Sequence, residues 1–458
     1  MKIKEFINKF SSNYILTGVV IAGILLRFYN FPNRYGFDFD AARDSLVASL
    51  FSDKLSFPLT GAASSVAPFN FGPLYYWGLI IFEKFIPFYG SWIFISVVSM
   101  LTIIVAYKIG EKLENKNFGL ILAGIFALSP SQLVLSTTLS NPSIIPFFSG
   151  LVILFFVSYL NTKKSVHVFL MSLFLSIGIT IHFQLAGFII FPILILFFYK
   201  DRLKNIISAA LGFLIPLIPI AVYDMNSNFY NLKGLIFYLT QSRENVYVAN
   251  RWLFYVRDFW PNFISETLGL NLIISVLIVA SLGILFIYLS YKKLLNKKHF
   301  MIILAFVFNF ILLRYFPSQK PIYYLYFLQI FIFLFSGFLL FKSIEIKKIK
   351  PIAYLFSMFL IVLILNKDRN IIVSESSNRE AVKIKNALMD EYPENKFNVY
   401  FCDSKMSEVM GLSYLLNKQD LLSNEGKKII IDPSCSSVVS FNNISPNDLK
   451  NMQVHKSY

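Results

Sequence analysis

Long apolar runs recur along the whole 458-residue chain and constrain its fold more than any other feature. A membrane-spanning helix needs about 20 mostly apolar residues, and about eleven segments are candidates for such a helix. Because charged residues make up 15% of the chain, against about 25% in soluble globular proteins, the sequence predicts an α-helical polytopic membrane protein. The candidate spans lie near residues 14–31, 90–109, 118–137, 142–160, 166–183, 185–199, 205–223, 267–290, 300–316, 322–341 and 351–366.

Short basic clusters separate the apolar runs and predict how the chain is oriented. Every second connection is basic, and such clusters mark the cytoplasmic side, so we expect the N-terminus inside and the C-terminus outside the cell (plasma or inner) membrane. An odd number of spans, such as eleven, also places the two termini on opposite sides of the membrane. The net charge of +16 therefore reflects topology and does not indicate a nucleic-acid partner. The clusters are Lys2/Lys4/Lys9, Lys108/Lys112/Lys116, Lys163/Lys164, Lys200/Arg202/Lys204, Lys292/Lys293/Lys297/Lys298 and Lys342/Lys347/Lys348/Lys350.

The predicted orientation places two long loops on the outer side of the membrane. Residues 1–366 form the predicted transmembrane domain, and its outer loops cover residues 32–89 and 224–266. In the first loop, residues 41–51 and 73–85 are amphipathic and rich in aromatic side chains. This composition predicts two helices that lie along the membrane interface.

The tail, residues 367–458, predicts a small extracytoplasmic α/β domain. Its pattern indicates a helix over 379–392, a strand over 397–401, a helix over 405–417 and a strand over 428–432. An external position permits a disulfide between Cys402 and Cys435. The role of the domain stays open between binding of an acceptor substrate and a purely structural one.

Unusual polar residues collect on the predicted outer side, while the inner side carries lysine clusters. Three acids and an arginine follow the first span directly, in the stretch GFDFDAARDS: Asp38, Asp40, Arg43 and Asp44. Polar groups held at membrane depth are costly and usually line a functional cavity, so this collection predicts a site. Its other members are Asn70, Asn141, His182, Gln319, Lys320, Tyr323 and Tyr324.

A structural interpretation exists for most of these residues. Asp38 is placed to cap a helix, and Asp40 in the first turn suits the positive end of that helix, with Arg43 or Asp44 facing it one turn on. The same position keeps a carboxylate ionised and able to accept a proton. The remaining structural readings are Asn141 as a helix start, His182 as a satisfied interfacial side chain, Lys320 as a snorkelling lysine and Tyr75, Tyr76 and Trp77 as a membrane anchor.

Five motifs in this order resemble one family: DAARDSL, FGPLYYW, LSNPSIIPFF, HFQLAG and KPIYYLY. Over roughly residues 10–366 the chain resembles the GT-C superfamily of integral-membrane glycosyltransferases. It looks most like the bacterial branch related to protein O-mannosyltransferases and to the aminoarabinose transferase of lipid A. Each motif is weak alone, and the order and shared location make the set specific.

The resemblance implies transfer of a sugar from a polyprenyl-phosphate donor to a lipid, glycan or protein acceptor on the extracytoplasmic face. The family's Asp-x-Ala-Arg-Asp run aligns Asp40 with the acting carboxylate, which deprotonates the acceptor as the anomeric carbon is attacked, with inversion. Ala41 departs from the family's Asp-Glu version and leaves the role of Asp38 open. The substrate cavity would include Arg43, Asn70, Tyr75, Asn141, His182, Tyr323 and Tyr324.

The departing lipid phosphate needs a cation in a water-poor site. The candidates are Lys320, Arg243 and Arg251, and Lys320 matches the family's late motif. We expect no cofactor. A divalent ion held by Asp38 and Asp40 stays open as an alternative, although the sequence offers no further carboxylate cluster to complete its shell. Two other functions stay open: a flippase or transporter of lipid-linked sugars, and a polysaccharide polymerase or ligase.

Overall fold

The computed structural model describes residues 2–65, 67–86, 88–240, 250–291, 295–315, 322–401, 405–431, 439–440 and 445–451. In the apolar region these residues are almost entirely helical, as the sequence predicts. The helices are α1 (Lys2–Phe28), α2 (Phe31–Arg34), α3 (Phe39–Asp53), α4 (Leu74–Phe85), α5 (Gly90–Leu113), α6 (Lys116–Leu128), α7 (Pro130–Leu135), α8 (Ile145–Thr162), α9 (Ser165–Ile181), α10 (Ile190–Phe198), α11 (Arg202–Leu214), α12 (Ile218–Asn226), α13 (Tyr230–Thr240), α14 (Arg251–Phe254), α15 (Trp260–Leu268), α16 (Leu272–Tyr291), α17 (Lys297–Tyr315), α18 (Gln329–Glu345) and α19 (Lys350–Val373).

Short segments of 3₁₀ or π helix extend several of these helices. The 3₁₀ segments are Asn141–Ile144, Phe183–Ile189, Ile215–Leu217 and Ile322–Leu328, and Tyr255–Phe259 is a π-helical turn. Each predicted apolar run coincides with one helix or with consecutive helices of this series. The sequence therefore located the helices correctly, because a long apolar run has no other regular structure that satisfies its backbone in a membrane.

Within the described residues, six helices are long and apolar enough to cross a membrane: Gly90–Leu113, Asn141–Thr162, Arg202–Asn226, Lys297–Tyr315, Tyr323–Glu345 and Lys350–Val373. The pair Arg251–Leu268 and Leu272–Tyr288 passes the same test together but is bent by 102°. Four apolar helices are shorter: Asn13–Phe28, Lys116–Leu128, Ser165–Ile181 and Phe183–Phe198. The chain is thus a multi-span membrane protein, and a total of eleven crossings stays a prediction.

Close packing of α5 against α6 shows how small residues hold the bundle together. A Cβ atom built on Gly110 would lie 2.7 Å from the Cα atom of Gly119, so both positions need glycine. Asn115 lies between the two helices and accepts a hydrogen bond of 3.1 Å from the backbone N–H of Phe118, which starts α6. Glycine pairs of this kind let membrane helices approach closely.

Side-chain contacts divide the bundle into two ends. At one end, the Lys112 carbonyl accepts hydrogen bonds from Asn161 and Lys298, and Glu114 pairs with His299 and Lys342. We call this the lysine end. The first and second long loops lie at the opposite end, which we call the loop end: the backbone N–H of Asn70 in the first loop donates to the Asn231 Oδ1 atom at 2.6 Å. This division agrees with the alternation of basic connections in the sequence.

The C-terminal segment contains the predicted α/β elements. They are α20 (Glu380–Glu391), β1 (Phe397–Phe401), α21 (Met406–Asn417), β2 (Lys427–Ile430), β3 (Val439–Ser440) and α22 (Pro446–Asn451). The sheet order is β2-β1-β3, with β1 parallel to β2 and antiparallel to β3. Cys402 and Cys435 lie outside the described residues, so the disulfide stays a prediction.

The C-terminal helix α21 covers the first-loop helix α3. Asn417 Nδ2 donates to the Ser49 Oγ atom at 3.0 Å, and Phe37, Trp92 and Tyr414 form an aromatic cluster with ring centroids 5.2–5.9 Å apart. From residue 41 to residue 49 the helix is buried throughout. The predicted helix is therefore present, but it lies beneath the C-terminal segment rather than along a free membrane interface, because the tail supplies a second apolar surface.

Candidate active site on the first loop

Asp38 is the N-cap of α3. Its backbone is extended, and its Oδ1 atom accepts a 2.9 Å hydrogen bond from the backbone N–H of Ala41. The capping interpretation is therefore confirmed. Surrounding protein raises the pKa of Asp38 to about 6, mainly by desolvation and further through the nearby charges of Asp40 and Asp44.

Asp40 lies in the first turn of α3 and is held by one ion pair. Its Oδ1 atom is 2.9 Å from the Arg43 guanidinium, while 53% of the Asp40 side chain remains exposed. The Arg43 side chain is only 6% exposed. Asp40 is thus a carboxylate on a fixed support that solvent or a substrate is able to reach.

Arg43 is itself fixed by a buried network. Its Nε and Nη2 atoms both lie 2.8 Å from Asp44 Oδ1, and the Tyr76 hydroxyl on α4 donates to the same oxygen at 2.6 Å. Burial raises the pKa of Asp44, although Arg43 acts in the opposite direction. The network joins α3 to α4 and aims the Arg43 guanidinium at Asp40. The sequence placed Arg43 or Asp44 one turn on from Asp40, but it did not reveal the contact of Tyr76 with Asp44.

Tyr75 lies next to this network, and its place in a substrate cavity stays a prediction. It is buried, and no hydrogen-bond partner for its hydroxyl is found in the described part of the chain. Burial and the neighbouring Asp44 hold its pKa well above the usual value. The hydroxyl therefore stays protonated and has a free hydrogen to donate.

A second group of predicted residues meets at the end of α9. His182 stacks on Phe71 with centroids 5.4 Å apart, and its ring lies 5.3 Å from that of Tyr324. The Asn141 side chain donates to the Ile181 carbonyl at 2.7 Å. The motifs that contain these residues, far apart in sequence, are therefore joined at the loop end.

The first loop connects the two groups. The backbone N–H of Gly72 donates to the Thr180 carbonyl at 2.6 Å, and a Cβ atom on Gly72 would lie 2.5 Å from that threonine's Cβ. Only glycine fits this contact. Four residues later, Tyr76 reaches the Asp44 carboxylate, so the stretch from Gly72 to Tyr76 connects the end of α9 to the network on α3.

The candidate phosphate ligands lie in or beside segments that are outside the described residues. Lys320 and Arg243 lie outside the described residues, as does Gln319, and Arg251 begins the short helix α14. Tyr323 is 42% exposed and contacts Tyr324 at 4.7 Å between centroids. The roles of these cations stay predictions.

Two buried arginines near the first loop are functional candidates that the sequence interpretation missed. Arg27 is fully buried inside the first apolar run and donates to the carbonyls of Phe126 and Ala127 and to Ser99 Oγ. Arg34 donates to the carbonyls at the end of α1 and to that of Leu133. Both arginines satisfy helix ends that have no intrahelical partners. The charge of Arg27 inside an apolar run was the feature of the sequence that could have indicated this role.

Asp368 near the end of α19 belongs to the same region. It is 1% exposed, and among the described residues neither carboxylate oxygen has a hydrogen-bond partner. Arg27 and Arg34 lie within electrostatic range. The predicted span ended at residue 366 because charges interrupt the apolar run there, whereas the helix continues to Val373.

A cleft opens beside Asp38. It has a volume of about 240 Å³ and is formed by residues of three segments, 34–41, 134–139 and 371–378. Asp38 and Ala41 lie on its wall, together with Ser376 and Asn378 from the C-terminal side. The described residues contain no group of three or more histidine, cysteine or acidic side chains arranged to hold a metal ion.

The fold is of the GT-C type, shared with two enzymes of known structure. The structure of ArnT from Cupriavidus metallidurans in the apo state matches with a TM-score of 0.54 and 10% identity, over 91% of this chain and 76% of ArnT. The oligosaccharyltransferase of Archaeoglobus fulgidus, in complex with Zn and sulfate, matches with a TM-score of 0.52 and 14% identity, over 83% of this chain and 56% of that enzyme. The chain therefore spans little more than half of the archaeal enzyme.

Two further matching structures contain a bound lipid phosphate. ArnT bound to undecaprenyl phosphate matches with a TM-score of 0.52 and 11% identity, over 88% of this chain and 75% of ArnT. The archaeal oligosaccharyltransferase AglB in complex with an inhibitory peptide and a dolichol-phosphate matches with a TM-score of 0.50 and 12% identity, over 84% of this chain and 59% of AglB. No family model matches the chain, and no curated protein sequence does. At these identities the likeness shows the fold alone.

Proposed function

We propose that the protein is a membrane glycosyltransferase that transfers a sugar from a polyprenyl-phosphate donor to an acceptor. The observation that most directly supports this proposal is the half-exposed Asp40 carboxylate, which is held by the buried Arg43–Asp44–Tyr76 network at the loop end. The fold supports this proposal, since it is shared with ArnT and with an oligosaccharyltransferase. The lipids in two of those structures, undecaprenyl phosphate and a dolichol-phosphate, support the donor class.

In the proposed reaction Asp40 acts as the general base. An acceptor hydroxyl is a poor nucleophile, and a carboxylate within hydrogen-bond distance removes its proton as the oxygen attacks the anomeric carbon. The bond from that carbon to the lipid phosphate breaks, and the phosphate leaves with an additional negative charge. One base and direct attack give inversion of the sugar. Arg43 holds the Asp40 carboxylate in place before the reaction.

The leaving phosphate is proposed to bind Lys320, with Arg243 and Arg251 as further candidates. The sequence predicts all three in connections on the same side of the membrane as Asp40, and a cation there would stabilise charge that develops on the phosphate. We further propose that the loop end faces the outside of the cell membrane. The positive clusters at the lysine end support this orientation.

A deletion strain complemented with point variants tests the proposal. Surface glycans and glycolipids are compared by mass spectrometry with and without the gene, and the wild-type gene should restore the missing product. Asp40→Asn should lower its formation by about 10²–10⁴-fold, the usual contribution of a general base. Lys320→Ala should weaken the use of the donor and leave the protein intact.

Asp38→Asn is the matched control, because asparagine caps a helix as well as aspartate does. We expect a smaller loss than for Asp40→Asn. If Asp38→Asn alone abolishes product formation, the two aspartates have exchanged roles. If Asp40→Asn retains full activity, the base assignment is wrong, and a flippase that moves lipid-linked sugars without chemistry becomes the better account.

A further inference from the structure

The cleft beside Asp38 has a lining that is rich in hydrogen-bond acceptors. It contains the carboxylates of Asp38 and Glu375 and the hydroxyls of Thr138, Ser376 and Ser377. Asp38 uses one oxygen for the helix cap, and Glu375 is exposed. A ligand that fills this cleft must therefore offer hydrogen-bond donors.

The single arginine among the lining residues does not change this balance. Arg34 Nη1 donates to the carbonyls of Leu26 and Arg27, and Nη2 donates to the carbonyl of Leu133. Its guanidinium is committed to helix ends. Two carboxylates against one arginine leave the lining with a net negative charge, which disfavours the phosphate of the donor lipid.

The remaining wall is apolar, with Val134, Leu139 and Ile371 facing the same space. Sugar rings present hydroxyls at their edges and C–H groups on their faces, so they match a lining of this mixed character. The volume of about 240 Å³ lies below the roughly 300–1,000 Å³ of pockets for drug-sized ligands. One ring fits, and an oligosaccharide would extend out of the cleft.

We propose that this cleft binds the sugar acceptor through a neutral, hydroxyl-rich group such as one sugar ring. This inference rests on the proposed function and deepens it by naming the acceptor class. Segment 374–378 is fixed there by hydrogen bonds to the first loop: Ser376 N–H donates to the Asn33 carbonyl at 2.9 Å, and Phe37 N–H donates to the Asn378 carbonyl at 2.7 Å. The C-terminal segment thus helps to form the acceptor site.

Two variants and two measurements test the inference. Ser377→Trp places an indole in the cleft from an exposed position, and Glu375→Gln removes one charge without filling space. Lys383→Trp is the matched control, since its side chain is 76% exposed on α20 and outside the cleft. Each variant is assayed for glycan product in the complemented deletion strain and, after purification, for binding of undecaprenyl phosphate.

We expect Ser377→Trp to abolish product formation and Glu375→Gln to lower it by about tenfold, as loss of a hydrogen bond to a charged group predicts. Lys383→Trp should behave as wild type, and all three should bind undecaprenyl phosphate as wild type does. Normal product formation by Ser377→Trp would overturn the inference, and so would its loss of lipid binding. If the wild-type gene restores no glycan, the proposed function itself has failed.

Discussion

Lys418 forms the buried ion pair that connects the C-terminal segment to the first loop. Its Nζ atom lies 2.8 Å from Oε2 of Glu83, whose side chain is completely buried at the end of α4. Glu83 also accepts hydrogen bonds from the backbone N–H and hydroxyl of Ser91, at 2.8 and 2.7 Å, and from the Tyr414 hydroxyl at 3.2 Å. The perturbation is Lys418→Met, which keeps the aliphatic stem and removes the charge.

The magnitude follows from what Lys418→Met leaves behind. Removing one partner of a buried ion pair costs about 3–5 kcal/mol, because the other charge stays buried without a counter-ion. Glu83 keeps its three neutral hydrogen-bond donors, so the lower half of this range applies, about 3–4 kcal/mol. The double variant Glu83→Gln/Lys418→Met removes both charges and keeps an acceptor for Ser91. It should recover most of the loss.

Hydrogen exchange measured by mass spectrometry in detergent micelles reports the effect locally. A loss of 3–4 kcal/mol in the opening free energy should accelerate exchange in peptides from α21 by about two to three orders of magnitude. Peptides from α8, which lies in the middle of the bundle, serve as the internal control. Unchanged exchange in α21, or a double variant as labile as Lys418→Met, would refute the reasoning.

Three further predictions concern other buried charges and the orientation. Burial lowers the pKa of Lys450 to about 8, below its unfolded value of about 10.5. Between these pH values the unfolded chain binds more protons, so the stability of the wild type relative to Lys450→Met should rise from pH 8 to 10.5 in thermal unfolding. A difference that does not change with pH would contradict this. Arg27→Met should lower the unfolding temperature more than Arg27→Met/Asp368→Asn, because the single variant removes the largest of the positive charges that act on the buried Asp368 and leaves only Lys367 and Arg34. Equal losses would show that Arg27 and Asp368 do not stabilise each other. In a protein with Cys402 and Cys435 replaced by serine, an impermeant maleimide added outside intact cells should label Ser377→Cys and not Lys164→Cys, and the reverse pattern would invert the topology.

Local sequence patterns were sufficient for the helices and for the ends of α3. The predicted strand at 397–401 agrees with β1, and the Asp38 cap and the Asp40–Arg43 pair were both foreseen. Each of these features depends on residues within a few positions of one another. Periodicity, capping and side-chain spacing encode them directly.

Contacts between distant parts of the chain were not predictable in the same way. Tyr76 reaches Asp44 across 32 positions, and Asn417 reaches Ser49 across 368. Such pairs depend on which helix faces meet, and an apolar surface does not specify its partner. The position of α21 over α3 was therefore missed, although both helices were predicted.

The two aspartates of the first loop have different surroundings, and this difference assigns them different proposed roles. Asp38 lies on the wall of the acceptor cleft, whereas Asp40 is two residues further on, held by Arg43 and half exposed. A general base must come within about 3 Å of the hydroxyl that it deprotonates. An acceptor bound by Asp38 would bring a neighbouring hydroxyl towards Asp40, so loss of Asp38 should weaken acceptor binding while loss of Asp40 should slow the chemical step.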